Sequence, residues 1–316
     1  MLANIVDIDF HAMRVSLNYP HGALLLFDFK SDFSSISHDY LWASLAAIGI
    51  PVRWIDAIKL FYQGNAHAVK VGGKLYPSFT ATSGVRQGCP LSPLLFAAVV
   101  DVLLRRLSSS FSDSIVRAFA DDTAMVVPHF HAVALGIHNM FDEFGKISGL
   151  VLNIPKTVII PLWPSSPSSV KNMLRDMFAP WKDVQVTYAA KYLGFMVGPQ
   201  AGPKQWSGAI NKFRSRCQAW RQLHLGLQYD ARIYRVFCFS VLSFIWQLQG
   251  VDKSVLDAEN EALRIFAPGP GNWATTEDLF QLSNWFGFPY AFPSSQLTSL
   301  AAKLRVIECE PIDGFD

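Results

Sequence analysis

Three aspartates lie where buried strands are expected to end, a position in which carboxylates can bind metal ions. The apolar run at residues 23–29 predicts a buried strand that ends at Asp28. Two further apolar runs within 115–127 flank Asp121 and Asp122, which predicts a hairpin with both carboxylates at its bend. The sequence therefore offers acidic side chains from separate strands.

Adjacent carboxylates in an apolar stretch need a cation. Asp121 and Asp122 repel each other and lose hydration unless positive charge lies between them. Mg²⁺ meets this need, because it typically binds one or two carboxylates together with substrate phosphates. A third carboxylate from a neighbouring strand, here Asp28, would complete a two-metal site for phosphoryl transfer. The alternative is that the pair is simply a turn, since Asp favours bends.

The loop at residues 83–93 has a composition suited to a ligand, with the sequence SGVRQGCPLSP. Gly84 and Gly88 would let the backbone approach a bound molecule closely, and Arg86 and Gln87 supply hydrogen-bond donors. The helix predicted from Pro93 would turn its positive N-terminal end toward this loop. Such a loop suits a nucleotide or a template strand, and the alternative is an ordinary helix N-terminus.

Helices and strands alternate up to residue 198, and this part of the chain would position the aspartates and the loop. The pattern predicts, in order, a helix capped by Ser37 and ended by Gly49, a helix ended by Gly64, a hairpin turning at Gly72 and Gly73, a helix from Pro93 and a helix around 131–147. Beyond 198–203, helices dominate as far as residue 248. The elements predict an α/β (α+β) chain with a domain boundary near 198–203.

Composition and charge exclude disorder and indicate a partner. Apolar residues make up 51% and charged residues 16% of the 316 residues, which indicates a large core or a surface that meets a partner. The net charge of +2 conceals a basic segment at 203–250, with seven basic side chains against one acid, and a tail with four against ten.

The N-terminus, the cysteines and the longest apolar run favour an intracellular protein without a membrane partner. The N-terminal segment contains acids and no basic cluster, so it is not a signal peptide. Four scattered cysteines favour a reduced environment. The longest apolar run, residues 236–248, is shorter than the ~20 residues that a membrane helix needs. It predicts a core or interface helix.

Five motifs in order resemble the palm motifs of reverse transcriptases of non-LTR (LINE-type) retrotransposons. They are FDFKSDFSSISH, SGVRQGCPLSP, FADD, GLVLNIPKT and YLG. The resemblance implies a right-hand polymerase palm over residues 1–202, with an antiparallel sheet and helices on one face, and a helical thumb with a C-terminal region over 203–316. It implies an RNA-directed DNA polymerase that extends a DNA primer on an RNA template with dNTPs.

The resemblance also implies roles for the matching residues. The catalytic carboxylates that would hold two Mg²⁺ or Mn²⁺ ions are Asp28, Asp121 and Asp122. A further residue, Lys156, would serve the leaving pyrophosphate. The nucleotide and template contacts would be Phe29, Phe33, Arg86, Gln87 and Gly88, with Phe33 excluding a 2′-hydroxyl. The primer grip would be Tyr192, Leu193 and Gly194. Plainer alternatives are a core ring at Phe33, a solvated Lys156 and a tight turn at 192–194.

The chain departs from the family pattern at two places. The family usually has a small apolar residue where Asp32 stands and often Asp where Ser34 stands, so an extra acid beside the nucleotide pocket would weaken triphosphate binding. Only 27 residues precede Asp28, where family members have a fingers region. We therefore expect the fingers to be largely missing, the chain to be an incomplete copy and its activity to be weak.

Basic and aromatic residues interleave in the segment that follows Lys204. The side chains expected to contact the nucleic-acid backbone are Lys212, Arg214, Arg216 and Arg221. Basic residues neutralise phosphates, and neighbouring aromatic rings stack on bases or fill a core. The alternative is a solvated helix face. Two rival functions stay open: a non-catalytic nucleic-acid-binding remnant of a retroelement, and an amphipathic protein of membrane surfaces.

Overall fold

The computed structural model describes residues 1–177, 181–271 and 273–309, and the chain folds as two compact units. The first unit comprises residues 1–193 and 197–199, and the second comprises 194–196 and the residues from 200 onward. Each unit is described by itself below.

The first unit combines helices with a central sheet. Its helices are α1 (Leu2–Asn18), α2 (Asp32–Ser35), α3 (His38–Ala47), α4 (Val52–Tyr62), α5 (Ser92–Ser110), α6 (Phe130–Ser148) and α7 (Pro167–Met177). Its strands are β1 (Ala23–Phe27), β2 (Ala66–Val71), β3 (Lys74–Thr80), β4 (Ile115–Phe119), β5 (Asp122–Val127), β6 (Val158–Pro161), β7 (Gln185–Val186) and β8 (Ala190–Tyr192). A short strand β9 (Phe195–Val197) follows β8 where the chain passes between the units.

Five strands form the main sheet, in the order β4-β5-β1-β6-β7. β1 pairs antiparallel with β5 and β6, and β4 pairs antiparallel with β5, whereas the edge strand β7 runs parallel to β6. β1 is buried along its whole length, as expected for a continuous apolar run in a central strand. The predicted mixed helix–sheet class and the largely antiparallel sheet are thus confirmed.

Helices cover both faces of this sheet. Leu25 and Phe27 of β1 join a buried cluster with residues of α3, α5 and α6. Side chains alternate along a strand, so Leu24 points to the opposite face, as a side chain at Gly22 would. α1 lies on that face, because a Cβ at Gly22 would be 2.1 Å from the Val15 side chain. The sequence pattern predicts helices on one face of the sheet only and does not predict α1. In the structure α1 covers the second face.

Two local predictions about element ends are confirmed. Ser37 caps α3 by accepting a hydrogen bond from the Tyr40 backbone N–H at 3.4 Å. Gly72 and Gly73 form the turn between β2 and β3 with φ angles of 56° and 85°, which glycine adopts without steric cost.

The second unit is helical around a buried tyrosine. Its helices are α8 (Ser207–Arg221), α9 (Leu227–Ile233), α10 (Lys253–Phe266), α11 (Thr276–Phe280), α12 (Leu282–Phe286) and α13 (Ser295–Cys309). The Tyr234 ring is fully buried, with ring centroids of Phe213, Phe239, Phe266 and Phe292 at 5.2–5.9 Å. Within the described ranges, no helix is both long and apolar enough to cross a membrane.

The segment at 236–248, predicted to be a core or interface helix, does contribute buried residues to the core but is not one continuous α-helix. The chain there forms a π-helical turn at Tyr234–Cys238 and short 3₁₀ turns at Phe239–Val241 and Ile245–Gln247. The Ser240 hydroxyl donates to the Val236 carbonyl at 2.7 Å, and the Ser243 hydroxyl donates to the Ser240 carbonyl at 2.7 Å. Serine side chains that bond nearby carbonyls in this way compete with regular helical bonding.

Candidate active site

The structure brings Asp28, Asp121 and Asp122 to one end of the main sheet. Phe27 of β1 pairs with Thr123 of β5, so the next residue of each strand toward this end is Asp28 on one and Asp122 on the other. Asp121 lies in the turn that joins β4 to β5. Neighbouring antiparallel strands thus supply all three carboxylates.

The three carboxylates repel one another. The pKa of Asp122 is raised above its usual value, first by desolvation and then by the negative charges of Asp121 and Asp28, while Lys191 lowers it. One oxygen of Asp28 is buried without a hydrogen-bond partner. The Lys156 ammonium lies 3.8 Å from that oxygen, beyond hydrogen-bond distance. This excess of negative charge suits a divalent cation.

The described side chains do not form a closed metal cage. Among the described residues, no group of three or more His, Cys, Asp or Glu side chains is placed so that it could hold a metal ion by itself. An open set of carboxylates fits Mg²⁺, which keeps water ligands and shares substrate phosphates instead of binding in an all-protein cage.

The segment at 150–157 runs beside the end of β1 and places Lys156. The Asn153 N–H donates to the Asp28 carbonyl at 2.7 Å, and the Lys30 N–H donates to the Val151 carbonyl at 2.8 Å. The Thr157 hydroxyl, fully buried, donates to the Asn153 carbonyl at 3.0 Å. These bonds hold the segment against Asp28, so that Lys156, although exposed, stays close to that carboxylate.

The loop at 83–93 packs on the segment that follows Asp28. Gly84 has a φ of 85°, and a Cβ there would lie 2.6 Å from the Ser34 backbone, so only glycine fits. The Val85 N–H donates to the Phe33 carbonyl at 2.6 Å, and the His38 Nε2 lies 2.8 Å from the Gly84 carbonyl oxygen. These contacts leave Gln87 and Gly88 exposed beyond the anchored part of the loop.

Arg86 holds this loop to α4. Its guanidinium donates to the Phe61 carbonyl and lies over the Tyr62 ring, 5.7 Å from the centroid. Arg86, the predicted nucleotide or template contact, is thus bound to another part of the same chain although it is exposed. The sequence could not show this partner, because it lies 25 residues away.

The two phenylalanines differ in exposure. Phe33 is half-buried and its ring stacks on Phe96 at a centroid distance of 5.0 Å, so one side of it can face a ligand. Phe29 is only 3% exposed and packs near Phe141. Because the Phe29 side chain fills the core, the predicted nucleotide contact at this position would use the backbone, and it stays a prediction. The side chain of Asp32 lies outside the described part of the structure, so its effect stays a prediction.

A cleft of about 600 Å³ opens between the base of the β2–β3 hairpin and the loop at 83–93. Asn65, Arg86 and Gln87 contribute polar groups to its lining. His67 and Phe79 also line it, with their rings stacked at 4.8 Å and 13°. Sequence reasoning missed this pair, since the two residues meet only when the hairpin forms.

The predicted primer grip is a tight turn with buried side chains. Leu193 and Gly194 have φ angles of 48° and 91°. Tyr192 is 2% exposed, and burial followed by the charge of Asp122 raises the pKa of its hydroxyl to about 12. The backbone of this turn, and not its side chains, is therefore what it presents to its surroundings. Lys191, whose charge acts on Asp122, is an exposed neighbour that sequence reasoning missed.

The four residues of the second unit that are predicted to contact the nucleic-acid backbone differ in their interactions. Arg214 pairs with Glu261 at 2.8 Å, and Arg216 donates to the Phe237 carbonyl at 2.7 Å. The positive charge of Arg221 acts on the buried carboxyl of Asp230, whose pKa desolvation raises. Lys212 is exposed. The acidic tail thus neutralises part of the basic segment within this unit.

Comparison with known proteins gives the family. Residues 10–197 match the reverse transcriptase (RNA-dependent DNA polymerase) family. The Pol polyprotein of the type-2 retrotransposable element R2DM from Drosophila melanogaster is 33% identical over 138 residues, which are 41% of this chain and 13% of that protein. The transposon TX1 149 kDa protein from Xenopus laevis is 28% identical over 342 aligned positions, which cover 94% of this chain and 24% of that protein.

The chain therefore spans 24% or less of the length of these two relatives. Telomerase from Candida tropicalis, in complex with a TWJ fragment of telomeric RNA, has a similar fold, with a TM-score of 0.50 and 11% identity over 96% of this chain and 49% of that one. The family match covers more than half of the chain, and together with the transposon relatives it shows that the chain belongs to the reverse transcriptases of non-LTR retrotransposons.

Proposed function

We propose that this chain catalyses RNA-directed DNA synthesis, with Asp28, Asp121 and Asp122 as the catalytic carboxylates. The observation that carries the proposal is the convergence of these side chains from β1 and the β4–β5 turn at one end of the sheet. The primer 3′-hydroxyl would attack the α-phosphate of a dNTP, and pyrophosphate would leave.

Reverse transcriptases use divalent metal ions, and we propose two Mg²⁺ or Mn²⁺ ions here. The unpartnered Asp28 oxygen and the mutual repulsion around Asp122 are consistent with cations at this place. Bound ions supply positive charge to the phosphate and make the 3′-hydroxyl easier to deprotonate. The carboxylates would orient that charge, and Lys156, beside Asp28, would stabilise the leaving pyrophosphate.

The nucleotide would lie between the carboxylates and the loop at 83–93. The exposed Gln87 and Gly88 would contact nucleotide and template, and the open side of Phe33 would exclude a 2′-hydroxyl. The turn at Tyr192, Leu193 and Gly194 would hold the primer end through its backbone.

We also propose that residues 1–202 act as the palm and residues 203–316 as the thumb and C-terminal region. The helical second unit and its basic segment support this division. Lys212 is the best candidate for a phosphate contact because it is exposed, whereas Arg214, Arg216 and Arg221 already interact with groups of their own unit.

Single-nucleotide extension of a DNA primer on an RNA template tests the proposal. Wild type should require template, a matching dNTP and Mg²⁺ or Mn²⁺. Asp28→Asn should lower the rate at least about a hundredfold, because metal-ion stabilisation of the transition state is worth several kcal/mol. Asp113→Asn, an exposed acid before β4, is the matched control. Tight binding of primer–template without metal-dependent extension would favour the non-catalytic remnant instead.

A further inference from the structure

The turn that carries Asp121 and Asp122 has an unfavourable conformation. Two residues join β4 to β5, and one of them, Ala120, has a φ of 54°, a left-handed value that favours glycine. Asp28 and Asp121 also repel Asp122. Backbone strain of this kind persists only when the surrounding structure restrains it.

Two side chains of α1 restrain the strand that leads into this turn. The Asn4 amide donates to the Ala118 carbonyl at 2.9 Å, across 114 residues of sequence. Ala118 precedes Phe119, whose pairing with Asp122 closes the hairpin. Because β4 is an edge strand, the Ala118 carbonyl can face away from β5. The Asp7 carboxylate pairs with the Arg117 guanidinium at 2.5 Å. Consecutive residues of β4 are therefore both bound to α1.

The same network reaches Tyr192. Its hydroxyl donates to the Arg117 carbonyl at 3.4 Å, and the Asn4 side chain is near enough to lower the pKa of this hydroxyl. His11, one turn along α1, lies 3.4 Å from the Asp7 carboxylate. α1 thus connects β4 to the residue that precedes the turn at 193–194.

We propose that Asn4 and Asp7 are positioning residues, which hold the β4–β5 turn so that its carboxylates meet Asp28 in the geometry needed for nucleotide transfer. The inference rests on the proposed polymerase function. Neither side chain touches the reacting groups; each acts through β4.

A purely structural role is the competing explanation, because capping an edge carbonyl stabilises any sheet. Such a role would change unfolding without a selective change at the turn. Positioning instead predicts faster local opening at 117–124 and a higher Mg²⁺ requirement, with both effects reversed when an amide donor is restored.

Asn4→Leu removes the donor, and Asn4→Gln restores one. Asn18→Leu is the matched control, since the Asn18 amide lies on the same helix but donates to the Arg14 carbonyl within α1 at 2.8 Å. Hydrogen exchange in EDTA, followed by mass spectrometry over peptides at 115–124, gives a readout that needs neither metal nor activity. Single-nucleotide extension against Mg²⁺ concentration gives the second, and thermal unfolding gives the third.

We expect Asn4→Leu to raise exchange at 117–124 and the half-saturating Mg²⁺ concentration each by about fivefold, the factor that corresponds to one hydrogen bond of about 1 kcal/mol. Asp7→Asn should act in the same direction. Asn4→Gln should return exchange and the Mg²⁺ requirement most of the way to the wild-type values. Asn18→Leu should match wild type in both.

Unchanged exchange and Mg²⁺ requirement in Asn4→Leu would overturn the proposal. So would a uniform rise in exchange across the first unit with a normal Mg²⁺ requirement, since that result would assign Asn4 to stability alone. If wild type and Asn18→Leu fail to extend primers, the polymerase function fails separately, and the metal-free exchange decides the matter. A rise confined to 117–124 then still supports the restraint, and no rise overturns it.

Discussion

Asp122→Asn should make the metal-free protein more stable at neutral pH. The pKa of Asp122 is raised because desolvation, and then Asp121 and Asp28, disfavour its charged form. A carboxyl whose pKa is higher in the folded than in the unfolded chain destabilises the fold when it is ionised. Removing that charge should therefore raise the free energy of unfolding.

The expected gain follows from the exposure of this side chain. Asp122 is exposed, so solvent screens the repulsion to the scale of surface charge pairs, about 0.2–1 kcal/mol. Lys191 already offsets part of it. For a folded unit of this size, a gain of about 1 kcal/mol raises Tm by about 2–4 °C. The gain should be full above the folded-state pKa of Asp122 and vanish as pH falls through the unfolded value of about 3.9.

Mg²⁺ should reverse the order of stability, so that wild type becomes more stable than Asp122→Asn. An ion that binds only the folded state, at about 100 times its Kd, adds about 2.7 kcal/mol, and the variant lacks one carboxylate at that place. Calorimetry in EDTA and in excess Mg²⁺ measures both effects, with Asp113→Asn as the exposed-acid control. A loss of stability of Asp122→Asn in EDTA, or an equal gain of wild type and Asp122→Asn from Mg²⁺, would contradict this prediction.

Three further changes probe the neighbouring surfaces. Phe33→Val should raise the ratio of ribonucleotide to deoxynucleotide incorporation in gel-based primer extension. An unchanged ratio would indicate that the Phe33 ring only fills the core. Gly84→Ala should lower the free energy of unfolding in urea by at least about 1–3 kcal/mol, because residue 84 has a φ of 85° and its Cβ would contact the Ser34 backbone. An unchanged free energy of unfolding would contradict that packing. Lys212→Ala should lower the log–log salt slope of duplex DNA binding by about 0.9, and Arg214→Ala by less, because its guanidinium already binds a carboxylate; equal changes would contradict the ranking.

Local signals made much of the first unit predictable. The apolar run that ends at Asp28 reads as a buried strand because β1 is covered on both faces. Ser37 and the pair Gly72 and Gly73 mark element ends through side-chain capping and positive φ, which depend on a few adjacent residues. Even the placement of the three aspartates at one end of the sheet follows from where β1, β4 and β5 begin and end.

Contacts between distant parts of the chain were not predictable in the same way. α1 carries apolar residues on its exposed side too, such as Phe10 and Leu17, and lacks a side-chain cap, so its pattern is weak. The sequence predicts Arg86 as a ligand contact, because no neighbouring residue indicates that its guanidinium donates to the Phe61 carbonyl. Phe29 belongs to the motif, yet its burial depends on Phe141 of α6.

The most direct test of the central claim asks whether Asp28 and the β4–β5 turn share one metal site. Fe²⁺ with ascorbate and peroxide generates hydroxyl radicals at the bound ion, and these cleave the adjacent backbone. If they share one site, cleavage should occur both near residue 28 and near residues 119–123, should be suppressed by excess Mg²⁺ and should be lost in Asp121→Asn. Cleavage at only one of these segments, or a pattern that Mg²⁺ does not suppress, would contradict a shared site.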